Sequence, residues 1–337
     1  MNATDPIVSL AQVAAHAGVS AATASKALNG RPDVNESTRA RVEESARVLG
    51  YLPNSLARGL TGARTGTIGV VTTDLDGRFA LPILMGVEDA LGTDRILTFL
   101  CDARGDGLRE QSLIASLLAR RVDGLILVGK QTDPRRSLGR LPVPVVYAYA
   151  ESEDPTDVSV TVDNVDVGRR AAQHLVDLGR RRIAHISGEA SHSAAADRVR
   201  GAAEACATTG HDGAIVSVRY GDWSEGWGRA AAHDVLDADP GVDAFLCASD
   251  QIARGVIDSL HERGVSVPKD VAVVGVDNWE PLAVNARPSL TTVDLRLEQL
   301  GRIAAHRIQQ ATSGETLHGV QRVSGELIIR DSTVPRR

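Results

Sequence analysis

With 337 residues, 43% of them hydrophobic, and a net charge of −6, the chain is longer than one core usually organises and too acidic overall to coat nucleic acid by bulk charge. Its three cysteines, Cys101, Cys206 and Cys247, stand far apart without CxxC spacing, which argues against a disulfide framework or thiolate metal site and fits a reducing cytoplasm. The opening MNATDPIVSL has no basic segment or long apolar stretch, and the apolar run ending at Ala150 is too short for a bilayer, so a soluble protein that is neither exported nor membrane-bound is expected.

Residues 9 to 50 predict three short helices. Ser9, with Gln12 three residues on, has the capping-box form ahead of LAQVAAHA, and Gly18 is a stop. Ser20 can cap a second helix, AATASKAL, that ends at Asn29-Gly30. Asn35 can cap a third, whose Val42, Ala46 and Leu49 share one face before Gly50. Two helices joined by a tight glycine turn and braced by a third form a helix-turn-helix. Residues 1 to 62 carry six Lys and Arg against five Asp and Glu, so the acidity resides in the rest of the chain. Next comes YLPNSLARGLTGARTG, in which Pro53 suits a helix start and Gly59, Gly62 and Gly66 weaken the helix, predicting a marginal hinge helix.

From residue 64 apolar strands alternate with helical patterns: 67–74, 96–103, 122–129, 143–150 and 158–164, then 182–188, 214–221, 244–250 and 271–278. Nearly continuous Val, Ile and Leu runs between amphipathic helices predict buried parallel strands, and two such sets predict two similar lobes. Polar residues stand at the strand C-terminal ends (Thr73, Asp74, Asp163, Asp250, Asp277), where open α/β sheets bind ligands.

AQVAAHAGVSAATASKALNG, VNESTRARVEESARVLGYLPNSLARGL and TIGVV, followed in order by LGRRRIAHISG, DRVRGAAEA, CASDQIARGV, VPKDVAVVGVDN and PSLTTVDLRLEQLG, make the chain similar to the lactose-repressor/galactose-repressor family from about residue 7 to 331. The resemblance implies an all-α helix-turn-helix headpiece (7–52), a hinge helix and linker (53–66) and an α/β periplasmic-binding-protein-like effector domain (67–337). That domain has one lobe at about 67–161 and 292–320 and another at about 162–291 and 321–331. It further implies a cytoplasmic homodimer on double-stranded palindromic operator DNA. The chain departs from the usual pattern at Gln12, Ala24, Lys26 and Ala202, which bears mainly on base preference.

On the reading helix the early outward positions are Ala21, Ala22 and Lys26. Two alanines can touch only thymine methyls, so Lys26, donating to guanine O6 and N7, is the expected polar reader. Ser9, Ser20, Thr23, Ser25, Asn29 and Thr38 stand where the family meets DNA, mostly at phosphates, which position without specifying. The resemblance also puts Asn54, Ala57 and Leu60 in the minor groove, with Leu60 as the wedge that parts a base step.

A sugar site needs planar groups that take adjacent hydroxyls in pairs and an aromatic face. By match to the family pocket, Thr73, Phe79, Asp163, Arg198, Trp223, Ser249 and Asp277 supply these, with Asp74, Asp250 and Asn278 adjacent. Asp250 and Asn278 could equally cap helices or tie strands. The acidic residues outnumber Arg198, which favours a neutral mono- or disaccharide over a phosphorylated ligand. A purine-like corepressor is the alternative, and the sign of coupling stays open. A sugar-binding transport protein would share the two lobes but carry a signal peptide and no helix-turn-helix. For catalysis there is no GxxxxGK[ST], HExxH or GxSxG; GWGRAA (226–231) follows a tryptophan loop instead of ending a strand, and neither a cofactor nor a metal is expected. The terminal VPRR adds no heptad tail of the kind that bundles tetramers.

Overall fold

Ser9 opens α1 (Leu10–Ala17): its hydroxyl accepts from the Gln12 amide, and the Gln12 side chain accepts from the Ser9 amide at 2.7 Å. Gly18 closes that helix in the left-handed conformation. Ser20 accepts from the Thr23 amide at 3.1 Å at the start of α2 (Ala21–Leu28), while Asn35 and Gly50 bound α3 (Glu36–Leu49). The three helices close over a small core of Val13, Ala14, Ala17, Ala24, Ala27, Val34, Val42 and Ala46. Methyl-sized side chains let the helices approach closely but bury little area each, so the caps carry a large share of the stability. Two ties add to it: Arg41 donates from Nε to the Ala17 carbonyl at 2.9 Å, and His16 pairs with Ser45 at 3.0 Å.

The computed structural model describes residues 8–28, 31–51, 64–94, 96–208 and 214–334, and the chain divides into two units, Met1–Thr65 and Gly66–Arg337. The second unit holds two six-stranded sheets. In chain order its elements begin with β1 (Thr67–Thr72), α4 (Ala80–Thr93), β2 (Leu97–Asp102), α5 (Gly107–Ala119), β3 (Gly124–Val128), β4 (Val145–Ala148), β5 (Val158–Val162) and α6 (Asn164–Asp177). There follow β6 (Arg182–Ser187), α7 (Ser193–Thr208), β7 (Ala214–Tyr220), α8 (Glu225–Ala238), β8 (Ala244–Cys247), α9 (Asp250–Glu262) and β9 (Ala272–Asp277). The last elements are α10 (Glu280–Ala283), β10 (Thr291–Asp294), α11 (Leu297–Thr312), β11 (Gly319–Val323) and β12 (Glu326–Ile328).

The strand orders are β11-β5-β4-β3-β1-β2 and β12-β10-β9-β8-β6-β7, and every pairing is parallel except that of β12 with β10. All nine predicted strands form. The two antiparallel or edge partners near the end and β10 escape the apolar-run criterion because TTVD, GVQRV and ELI are short, and the first two are broken by polar residues. The chain crosses between lobes after β5, after β10 and after β11. The last two crossings fall about three residues beyond the expected boundaries at 291/292 and 320/321: β10 stays paired to β9 as far as Asp294, and β11 stays paired to β5 as far as Val323.

Helices α6 and α7 meet at backbone distance. A Cβ on Gly168 would lie 2.0 Å from the Arg198 carbonyl oxygen, and one on Gly201 1.9 Å from that of Val165. Only glycine fits these crossings, and they hold Arg198 against the second lobe's strand ends. Among the described residues no helix is long and apolar enough to cross a membrane.

Candidate nucleic-acid interface and effector cleft

The headpiece presents Ala21, Ala22 and Lys26 exposed on α2, while Ala24 is fully buried, so the alanine in the family's usual valine position belongs to packing. Lys26 Nζ lies 2.6 Å from Asp33 Oδ2, both side chains more than half exposed. The lysine draws the Asp33 carboxyl below its ordinary range. This exposed pair is weak enough to be exchanged for a base edge. Ser9 and Ser20 spend their hydroxyls on caps, Ser20 also touching the Thr23 hydroxyl at 2.9 Å, and the Thr38 amide donates to Asn35 at 2.8 Å. Ser25 is half-buried. Asn29, Asn54, Ala57 and Leu60 lie outside the described residues.

In the second unit, the C-terminal ends of both sheets meet at a cavity of about 450 Å³. Of the predicted effector residues, Asp74, Phe79, Arg198, Trp223, Ser249 and Asp277 line it. Arg198, 4% exposed, donates from Nε to Asn164 Oδ1 at 2.9 Å and from Nη1 to the Ala248 carbonyl at 2.5 Å. Burial lowers its pKa, opposed chiefly by Asp277, yet a guanidinium stays charged. Trp223 lies over the guanidinium at 6.0 Å and donates from Nε1 to His192 Nδ1 at 2.9 Å. Its ring occupies the space that a Cβ on Gly188 would fill, 2.1 Å from the indole. Asp74 accepts from the Gly77 amide at 3.0 Å, and Ser249 caps α9.

Four predicted residues stand elsewhere. Thr73, just beyond the end of β1, lines a neighbouring cavity beside Glu110 and Arg135 instead of the main cleft. Asp163 caps α6, accepting from the Asp166 amide at 2.9 Å. Asp250, fully buried, accepts from Thr292 at 2.6 Å and from the Trp279 amide at 2.7 Å, which makes it a tie between α9, β9 and β10. Burial, with the nearby Asp277 charge adding to it, pushes its carboxyl upward. Asn278 binds Asp294 and Arg330 and likewise braces strand ends.

The sequence reading missed Arg78, Asp133, Tyr149, His192, Gln251 and Trp279, which also line the cavity. Arg78 pairs with Asp277. Burial raises the Asp277 carboxyl, and Arg78 and then Arg198 pull it back. Four carboxylates (Asp74, Asp76, Asp133, Asp277) thus face three cations (Arg78, Lys130, Arg198), so the acidic excess inferred from Arg198 alone shrinks to one. Phe79 and Tyr149 are in tilted contact at 5.5 Å. Tyr149 and Asp277 in the cavity wall hold positive φ values of 72° and 112°, a backbone strain gathered at this site, and the adjoining Asn278 follows at 52°. A signal existed for Arg78 and Asp133, since both follow strand ends, but nothing in the sequence singles them from other loop charges.

Comparison with known proteins places this geometry. Residues 9–54 match the family described as bacterial regulatory proteins, lacI family, and residues 172–333 match a periplasmic binding protein-like domain. The chain is 35% identical to the HTH-type transcriptional regulator CelR of Thermobifida fusca over 96% of this chain and 97% of that one. It is 33% identical to catabolite control protein A of Priestia megaterium, over 92% and 94%. A structure of CelR in complex with cellobiose aligns with TM-score 0.66 at 32% identity, over 96% and 99%. A structure of the Lac repressor dimer bound to operator and the anti-inducer ONPF aligns with TM-score 0.78 at 28% identity, over 97% and 99%. Full-length similarity of this order, joined to a capped helix-turn-helix and a two-sheet cleft, means that the chain belongs to the lacI family of bacterial regulatory proteins.

Proposed function

We propose that this regulator is a dimeric, cytoplasmic repressor of sugar-utilisation genes, released from a palindromic operator when a neutral mono- or disaccharide enters the cleft. The observation that carries the reading is the pairing of aromatic faces, Trp223 and Phe79, with the planar hydrogen-bonding groups of Arg198 and Asp277 around one 450 Å³ cavity. Sugars are bound by that combination of C–H stacking and paired hydroxyl contacts. Cellobiose, the ligand of the CelR complex, is the first candidate. The protein acts by binding and not by catalysis. It divides into a reading headpiece at 7–52, a connector at 53–66 and an effector part at 67–337.

Lys26 reads guanine, with Ala21 and Ala22 against thymine methyls; Ser9, Ser20, Thr23, Ser25, Asn29 and Thr38 position the backbone, and Asn54, Ala57 and Leu60 meet the minor groove. In the effector part, Leu81 and Met85 on α4 with Leu97, Phe99 and Leu100 on β2 expose a run of apolar side chains on the first lobe, and this supports pairing of two copies. Intrinsic tryptophan fluorescence of the full chain, titrated with cellobiose, other sugars and purines with and without operator DNA, tests the reading. A saturable sugar response that weakens operator binding is expected. A response to purines alone, or tighter operator binding with ligand, overturns it.

A further inference from the structure

Lys26, the proposed reader of guanine, is tethered. Its Nζ lies 2.6 Å from Asp33 Oδ2, seven residues on and past the end of α2, and that hydrogen bond draws the Asp33 carboxyl below its ordinary range. The two ends of the tether differ in freedom. Lys26 is a four-carbon stem on the exposed side of α2, whereas Asp33 sits in a turn fixed on both sides. The Arg31 amide donates to the Lys26 carbonyl at 3.0 Å, and Arg39 on α3 donates from Nη2 to the Arg31 carbonyl at 2.8 Å. Val34 is buried in the headpiece core, and Asn35 caps α3. The carboxylate is therefore the anchor and the ammonium the arm.

Guanine offers two acceptors on its major-groove edge, O6 and N7. An arginine meets such a pair with a rigid planar fork. A lysine is a compact charge on a flexible stem, equally satisfied by a phosphate, which carries no sequence information. An ammonium has three N–H donors, so one held by a fixed carboxylate leaves two, and gives them a direction. The same carboxylate cancels the charge that a phosphate would attract, and it repels the polyanion if the lysine leaves it. In a headpiece where six Lys and Arg stand against five Asp and Glu over residues 1 to 62, each such cancellation weighs on binding to DNA of any sequence.

We propose that Asp33 is the positioning residue of the base reader: on operator DNA it keeps one N–H of Lys26 while the other two donate to guanine O6 and N7, and on other DNA it withholds the ammonium from phosphates. The exposed pair is thus yielded to the base edge only in part. The inference rests on the reading of Lys26 above and adds what makes a lysine selective in that place.

The test uses the full chain on three kinds of duplex over a series of salt concentrations. These are an operator recovered by selection from a library of randomised palindromic duplexes, its single-base-pair variants, and a duplex of alternating A·T pairs, which offers no guanine. For Asp33→Ala, discrimination at the base pair read by Lys26 is expected to fall about tenfold. Binding to the A·T duplex is expected to tighten about fivefold per headpiece at about 0.15 M salt, and its logarithmic salt slope to steepen by about 0.9, as one more phosphate is neutralised. Asp33→Asn keeps the shape of the turn, should shift in the same direction, and carries the comparison if Asp33→Ala lowers the thermal transition of the headpiece. Asp33→Glu keeps the charge and should stay near the parent slope. Lys26→Arg brings its own fork, so adding Asp33→Ala to it should cost little discrimination. Unchanged base preference or an unchanged salt slope in both Asp33→Ala and Asp33→Asn overturns the positioning role and leaves Lys26 as the reader, as does an equal loss of preference with Lys26 and with Lys26→Arg. If Lys26→Met relaxes preference at no base pair, the reading of Lys26 itself fails, and this inference with it.

Discussion

The headpiece and the effector lobes solve opposite problems. In the headpiece the side chains proposed to read DNA are exposed and the core beneath them is built of alanine and valine, so its stability depends on local caps and a few ties such as Arg41 to Ala17. In the lobes the groups proposed to bind the effector are themselves buried charges, Arg198 and Asp277 among them, held by segments up to two hundred residues apart. An exposed reader can change without disturbing its support, whereas a buried ligand group is part of its own scaffold. Stability and recognition are therefore expected to separate in the first region and to fall together in the second.

The largest effect that would break this comparison is at the α6–α7 crossing. Gly201→Ala forces a Cβ against the Val165 carbonyl, where the paired contact of Gly168 on Arg198 prevents the helices from parting. A loss of about 3 kcal/mol in chemical unfolding of the effector part is expected, with sugar affinity lost alongside, because Arg198 moves with its helix. Retained affinity in a destabilised variant would separate scaffold from site and contradict the comparison.

Acid sensitivity should also belong to the lobes. His185 on β6 is fully buried with both ring nitrogens unpartnered, and burial, aided by the Arg198 charge, lowers its pKa to about 3. Between that value and the unfolded pKa near 6.5 the unfolded chain binds the extra proton. Stability is accordingly lost as pH falls through this window, by about 1.4 kcal/mol per pH unit from this group. His185→Leu should flatten the acid limb of stability measured by denaturant titration at a series of pH values; an unchanged slope would exclude the histidine as its source.

Smaller effects are expected in the headpiece, and separable ones. Asn35→Ala removes the cap at the Thr38 amide and should cost about 1 kcal/mol of headpiece stability, read from its thermal transition, without altering sugar affinity. Lys26→Met should leave that transition in place and relax preference at one operator base pair by about tenfold, as measured by binding to a panel of operator variants. Equal weakening on every operator would make Lys26 a phosphate contact instead of a reader.

The difference in how much could be read in advance follows from the same contrast. Each headpiece helix is bounded by a signal within four residues of its end, Ser9 with Gln12, Ser20, Asn35, Gly18 and Gly50, and all of these act as their chemistry dictates. The central strands of both lobes announced themselves because a strand buried on both faces must be apolar throughout, whereas β2 is an apolar edge strand whose Leu97, Phe99 and Leu100 are exposed. Strands β10, β11 and β12 did not, since they span only three to five residues and their apolar side chains are broken by Thr, Asp, Gln, Arg or Glu, leaving no apolar run to read.

What the sequence by itself determined is the order of elements, the helix caps, the two-lobed α/β class and the family to which the chain belongs. What only the tertiary structure decided is which strand-end polar groups face the cleft. Thr73 and Asp74 are neighbours yet line different cavities, and Asp250 and Asp277 both follow or end strands, yet one is a buried tie with both oxygens hydrogen-bonded and the other lines the cavity paired with Arg78. The physical reason is that caps and apolar periodicity act over a few residues of backbone, while the contacts of Arg78 with Asp277 and of Asp133 with the Ser193 amide exist only where two lobes, joined by three chain crossings, come to hydrogen-bond distance.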